Sequence, residues 1–205
     1  TDAPTVGRDG SSGLWMGRRA CGQAKANDVL SRRLGIPITL SLLYIEVGQR
    51  AGMPLVGVGL PGHFLVAHED VPDLYVDPFH GGTLLTATEC RARFHAVASP
   101  DAPWRQAYLA PVSSRAFLAR MMQNLKQIYL RERRRDLALT MQTLLVMLHP
   151  HEADAHRDRG LLLYEQGHYE SALEELTAYL RLDPLAKDRN FVYDLTRLIR
   201  TELER

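Results

Sequence analysis

A chain of 205 residues with 45% hydrophobic and 24% charged residues allows one large domain or two small ones, and its proportions exclude a disordered chain, a collagen-like repeat and a coiled-coil rod. Lys and Arg number 25 against 24 Asp and Glu, a formal net charge of +1, so no whole-molecule field draws in nucleic acid or an anionic membrane. The two cysteines, Cys21 and Cys90, are too few for a disulfide framework, and the start carries no apolar signal segment, which makes a reducing cytoplasm the expected compartment. The chain opens at Thr1 rather than at a methionine, as a fragment would.

Residues 1–26 carry five glycines and little apolar periodicity, the pattern of a loosely structured segment. Val29, Leu30 and Leu34 then lead into Gly35-Ile36-Pro37. From Ile38 to Gln49 the spacing predicts a helix, with Leu40, Leu43, Tyr44 and Val47 at i, i+3, i+4 and i+7 and with Leu42 and Ile45 widening the stripe. A helix apolar almost all round is expected to be central and covered on several sides. Gly52 and Pro54 end it. Leu55–Leu60 and His63–His68, joined by Pro61-Gly62, read as a β-hairpin with a two-residue connection. The uncharged stretch Met53–His68 is broken by these prolines and by Gly57, Gly59 and Gly62, so it is not a membrane span. A third strand fits Leu74–Phe79, a short segment follows at Thr83-Leu84-Leu85, and Thr86-Ala87-Thr88-Glu89 has capping-box spacing for a helix to about Val97. Pro100, Pro103 and Pro111 mark a connector.

From Ser113 onward only helices are expected. Pro150 and Pro184 stand 34 residues apart, the period of a tetratricopeptide repeat, and Ala138 with Ala172 keeps the same offset. The second copy has Gly160, Leu163, Gly167, Tyr169, Ala172, Leu176 and Tyr179 where paired helices need them. In the first, Lys126 takes the glycine position and Gln142 a large apolar one. Phe191, Val192, Leu195, Leu198 and Ile199 form one face of a final, capping helix. The expected organisation is an N-terminal segment 1–26, an α+β core with connector 27–112, and a helical part 113–205 of two repeats plus the cap. Two repeats are fewer than an isolated solenoid needs, so the helical part is expected to lean on the core.

His63 and Asp77 are the sharpest chemical pair. If their strands are neighbours, a carboxylate accepting Nδ1–H fixes the imidazole tautomer and turns Nε2 toward a nucleophile or substrate. The plainer alternative is a buried polar pair bracing a sheet. His149, His151 and His156 lack regular ligand spacing, so neither metal nor cofactor is expected. Arg131-Glu132-Arg133-Arg134-Arg135 reads as a solvated turn without the interleaved aromatics of a nucleic-acid surface, and there is no phosphate-cradling glycine loop.

Three spaced motifs carry a family resemblance. Leu30-Ser31-Arg32-Arg33-Leu34-Gly35-Ile36-Pro37-Ile38-Thr39-Leu40-Ser41, then Pro61-Gly62-His63-Phe64-Leu65-Val66, then Val76-Asp77-Pro78-Phe79 with Gly81-Gly82 resemble the SirB-type family, a transglutaminase-like core followed by tetratricopeptide repeats. The resemblance covers residues 27–182. It implies a papain-like, transglutaminase-like core, a central helix on an antiparallel sheet, followed by all-α helical hairpins. In the active enzymes of that type a Cys begins the central helix, where the helix dipole favours a thiolate, and His and Asp follow on strands. His63 and Asp77 match the second and third members. The cysteine position falls near Pro37, followed by Ile38 and Thr39. Thr39, Ser41 and Cys21 are the remaining candidate nucleophiles; Thr39 and Ser41 also suit backbone capping, and Cys21 lies outside the resembling part. The expected function is therefore a non-catalytic protein that binds a protein or peptide partner through the concave repeat surface together with the groove around His63 and Asp77. A hydrolase or acyl-transferase using His63, Asp77 and a non-standard nucleophile is the alternative.

Overall fold

A computed structural model describes Val29 and residues 35–205. The chain divides into two compact units, Thr1–Met121 and Met122–Arg205.

In the first unit, α1 spans Pro37–Arg50. Proline is preset for the first helical turn and lacks the N–H that would be left unpaired there. Thr39 closes the turn, accepting from Ile36 N at 3.1 Å and donating to Ile36 O at 3.0 Å. Gly52, with φ 77°, ends the helix in the left-handed conformation. Ile38, Thr39, Ser41 and Gly48 are buried, and a Cβ on Gly48 would come within 2.3 Å of Leu55 Cδ1, so only glycine lets the sheet approach this closely. Tyr44 and Val47 are exposed. The helix thus covers the sheet with one side, and part of the apolar stripe expected to be enclosed faces solvent.

The sheet is an antiparallel meander of β1 Leu55–Val58, β2 Leu65–His68, β3 Tyr75–Asp77 and β4 Thr83–Leu85, in that order. β1 and β2 pair from Leu55↔His68 to Val58↔Leu65, so their connection is residues 59–64 and not the expected two-residue turn. His63 consequently lies ahead of β2. The extra residues leave the ladder because their backbone groups bond elsewhere. His63 N donates to Leu60 O at 3.0 Å, and Arg120 Nη2 donates to Leu60 O at 2.9 Å and to His63 O at 2.8 Å. Arg120 also lies over the Phe64 ring, 5.3 Å from its centroid. Helix α2, Ala87–Val97, begins with the expected capping box, Thr86 N donating to Glu89 Oε2 at 2.7 Å. It buries Cys90 and Phe94 with Val58, Leu60, Leu65, Leu85 and Leu109. A second cluster joins Ile38, Phe64 and Phe117.

Helix α3, Ser114–Arg131, runs through the point where the units divide. The second unit continues with α4 Arg135–Leu148, α5 Ala153–Glu165, α6 Tyr169–Leu182 and α7 Arg189–Leu203. Its core is Ala172, Leu176, Tyr179, Val192 and Ile199. Phe191 and Leu198, expected on the same face of the last helix, are exposed. The first repeat's two departures from pattern answer each other: Lys126 Nζ donates to Gln142 Oε1 at 2.8 Å and to Asp158 Oδ2 at 3.0 Å, while Gln142 Nε2 donates to Ala155 O at 2.7 Å. In the charged turn, Arg134 lies over Tyr129 and Arg135 pairs with Glu165. Among the described residues no helix is long and apolar enough to cross a membrane.

Gly160 sets the distance between α5 and α6, since a Cβ there would sit 2.7 Å from Leu176 Cγ. Leu176 is fully buried and has nowhere to retreat. Gly160→Ala is therefore expected to lower stability by about 1–3 kcal/mol despite alanine's better helix propensity. Urea unfolding of the full chain measures it, and a midpoint equal to or above wild type contradicts the close-packing account.

Candidate functional site

The site is organised by one carboxylate. Asp77 is the last residue of β3 and caps the 3-10 turn Pro78–His80, its Oδ1 accepting from Phe79 N at 3.1 Å and from His80 N at 3.2 Å. Pro78 supplies the fixed φ that starts the turn. Gly81, with φ 71°, and Gly82, with φ 77°, turn the chain back into β4 in a conformation that glycine adopts freely. The other oxygen, Oδ2, faces His63 Nε2 at 2.9 Å, His80 Nδ1 at 2.8 Å and Arg93 Nη1 at 3.0 Å. Arg93 comes from α2. Asp77 is fully buried. Burial by itself pushes its carboxyl up, but the hydrogen bonds and positive ends of His63 and then His80 outweigh that and hold it at about 2. At neutral pH the group is a buried carboxylate.

His63 is brought to Asp77 as expected, but with the ring the other way round. Nε2 donates to the carboxylate, which leaves Nδ1 as the nitrogen available to another group. Strand alternation gave no guide to this because His63 stands in the connection before β2. The ring is nearly buried and meets the edge of Phe79, with centroids 6.0 Å apart. Among the described residues no hydrogen bond reaches Nδ1.

The candidate nucleophiles are placed differently. Within the described residues the hydrogen bonds of Thr39 go to Ile36, and Ser41 Oγ donates to Phe64 O at 3.4 Å. Both residues are buried. Cys21 lies outside the described residues. Cys90 is fully buried, and burial pushes its thiol up to about 11, so it remains protonated and packs as a small apolar group. His156 belongs to the second unit, where it sits between Glu175 Oε2 at 2.8 Å and Pro150 O at 3.0 Å.

Two members of the cluster were not singled out from the sequence, His80 and Arg93. His80 had a readable signal: it follows Asp77 by three residues across a proline and precedes two glycines, the spacing at which a capping carboxylate meets its own turn. Arg93 had none, since one arginine on an amphipathic helix resembles any other. The nitrogens of His63 and His80 and the carboxylate oxygen of Asp77 all lie within 4.8 Å of one another. Chemically, the arrangement holds an imidazole in one tautomer against an ionised acid and a guanidinium.

Comparison with known proteins gives two matches along the chain. Residues 21–123 match the transglutaminase-like superfamily, and residues 125–197 match a tetratricopeptide repeat family. A UPF0162 protein of Xylella fastidiosa (strain Temecula1) is 41% identical over 162 residues, which are 77% of this chain and 58% of that protein. A UPF0162 protein of Vibrio cholerae is 28% identical over 160 residues, 77% of this chain and 59% of that protein. F-box only protein 21 of Mus musculus is 44% identical over 73 residues, 31% of this chain and 12% of that protein. The chain spans under two thirds of the length of the bacterial relatives it matches.

Proposed function

The chain belongs to the transglutaminase-like superfamily and carries tetratricopeptide repeats after that domain, and from this we propose that it is a non-catalytic, cytoplasmic protein that binds a protein or peptide partner through its repeats. The observation that carries the reading is the start of α1. Where the resembling enzymes place their cysteine, this chain has Pro37, a buried Ile38 and a Thr39 whose hydroxyl is engaged with Ile36. A hydroxyl tied into a helix start is a poor nucleophile. The cluster around Asp77 then serves as a brace, and the helical pairs of the second unit offer the surface for a partner.

Panning the full chain against a displayed random-peptide library tests it. Selected peptides are expected to protect amides in residues 122–205 from hydrogen exchange. Failure to select any peptide, or protection confined to residues 35–121, overturns the repeat-surface reading.

A second reading is favoured by one specific observation, the orientation of His63. Its Nε2 is fixed on an ionised Asp77 while Nδ1 takes no hydrogen bond from the described residues, which is how a general base is held. In this reading the chain is a hydrolase or acyl-transferase with Thr39, Ser41 or Cys21 as nucleophile. An activated ester such as p-nitrophenyl acetate separates the two. The non-catalytic reading expects the same turnover from wild type and His63→Ala and no acyl adduct by intact mass. An adduct lost in His63→Ala establishes the enzymatic one.

A further inference from the structure

The ligand-type atoms gathered at Asp77 exceed what a two-residue dyad or a brace requires. We propose that His63 Nε2, Asp77 Oδ2 and His80 Nδ1 form a binding site for a divalent transition-metal ion of the zinc or cobalt type. The proposal rests on the geometry of the cluster and not on the partner-binding reading, so either can fail without the other.

Two imidazole nitrogens and one carboxylate oxygen are a donor set suited to such ions. They come from separate pieces of chain, the connection before β2, the end of β3 and the turn after it, yet converge within 4.8 Å. Each nitrogen is now 2.8 or 2.9 Å from the same carboxylate oxygen. An ion bonded at about 2.0–2.2 Å to each donor in a tetrahedron sets the donors about 3.3 Å apart, so its entry asks for a retreat of about half an ångström by each ring. His80 can make that movement, because 47% of its side chain is open to solvent. On binding, each ring presents a lone pair to the ion, and its remaining proton resides on the other nitrogen, Nδ1 of His63 and Nε2 of His80.

The carboxylate is prepared for this role. Its second oxygen is held by the N–H groups of Phe79 and His80, the kind of outer support that orients a metal ligand. Arg93 completes the argument. Its Nη1 lies 3.0 Å from Asp77 Oδ2 and 2.9 Å from His80 Nδ1, so the guanidinium occupies the place where a cation is most attracted. With 29% of its side chain exposed, it can swing outward. Ion and guanidinium therefore compete for one oxygen.

The test is titration of the full chain with Co2+ alone, followed by visible absorption, and with Zn2+ alone, followed by calorimetry. The expected result is one ion per chain at micromolar affinity or better, with d–d bands of nitrogen and oxygen ligation. His80→Ala and His80→Gln, both at a half-exposed position, should weaken binding at least tenfold. Arg93→Ala should tighten it about tenfold, since it removes a competing positive charge. Absence of binding in both wild type and Arg93→Ala overturns the proposal. So does binding whose affinity is unchanged in both His80 variants while far-UV dichroism shows them folded.

Discussion

Asp77→Ala is expected to destabilise the first unit by about 3–5 kcal/mol, the largest effect of any single replacement considered. The carboxylate is fully buried, accepts from His63 and His80 on one oxygen, which is also ion-paired with Arg93, and accepts from two backbone N–H groups on the other. Truncation leaves the nearly buried His63 ring and the turn's N–H groups without their acceptor, and an unpaired buried donor costs more than its hydrogen bond contributed. Urea unfolding at pH 7 measures the loss. A cost under about 1 kcal/mol contradicts the view of Asp77 as the centre of the site. The sign of the pH dependence follows from the same contacts. A carboxyl held at about 2 when folded and near 3.9 when unfolded contributes about 2–3 kcal/mol. That stability is present in full above about pH 5, and it is lost as the pH falls through 4 toward 2. Asp77→Asn should accordingly show a shallower loss of stability over that window than wild type.

The second large effect concerns the buried lysine of the first repeat. Gln142→Leu is expected to cost about 2–4 kcal/mol, because it removes one of the two acceptors of a buried ammonium, leaving it only Asp158, and takes the side-chain donor from Ala155 O. Adding Lys126→Met to that variant should recover most of the loss. Both buried polar groups are then gone, and an apolar pair of similar volume fills the space. A double-mutant cycle in urea reads the coupling, expected at about 1–3 kcal/mol. Strict additivity of the two single changes contradicts the account in which these residues compensate each other.

Periodicity carried most of the architecture. The helix from Pro37, the strand succession, the capping box at Thr86 and the 34-residue spacing of Pro150 and Pro184 each rest on local rules that tertiary contacts did not override. Where the reading failed, a distant side chain was the cause. The hairpin connection lengthened because Arg120, far along the chain, captures Leu60 O and His63 O. The orientation of the His63 ring follows from its place in that connection, which alternation does not describe. Lys126 and Gln142 each looked like damage to a repeat, since a one-dimensional pattern scores positions singly and cannot register that two departures meet. At the site, His63 and Asp77 were legible from the family resemblance and their order. Arg93 was not, because its contribution depends on how α2 lies beside β3.

The cluster at Asp77 also bears on strand alignment. β2 and β3 are paired through only Val66↔Val76 and Ala67↔Tyr75, a ladder too short to fix its own alignment. A slip by one residue would turn Asp77 to the opposite face of the sheet and send every β3 side chain with it. Because the carboxylate must meet an imidazole from one side of the ladder and its own turn from the other, the charge cluster acts as a register pin. It selects one alignment among neighbours that hydrophobic burial alone would separate only weakly.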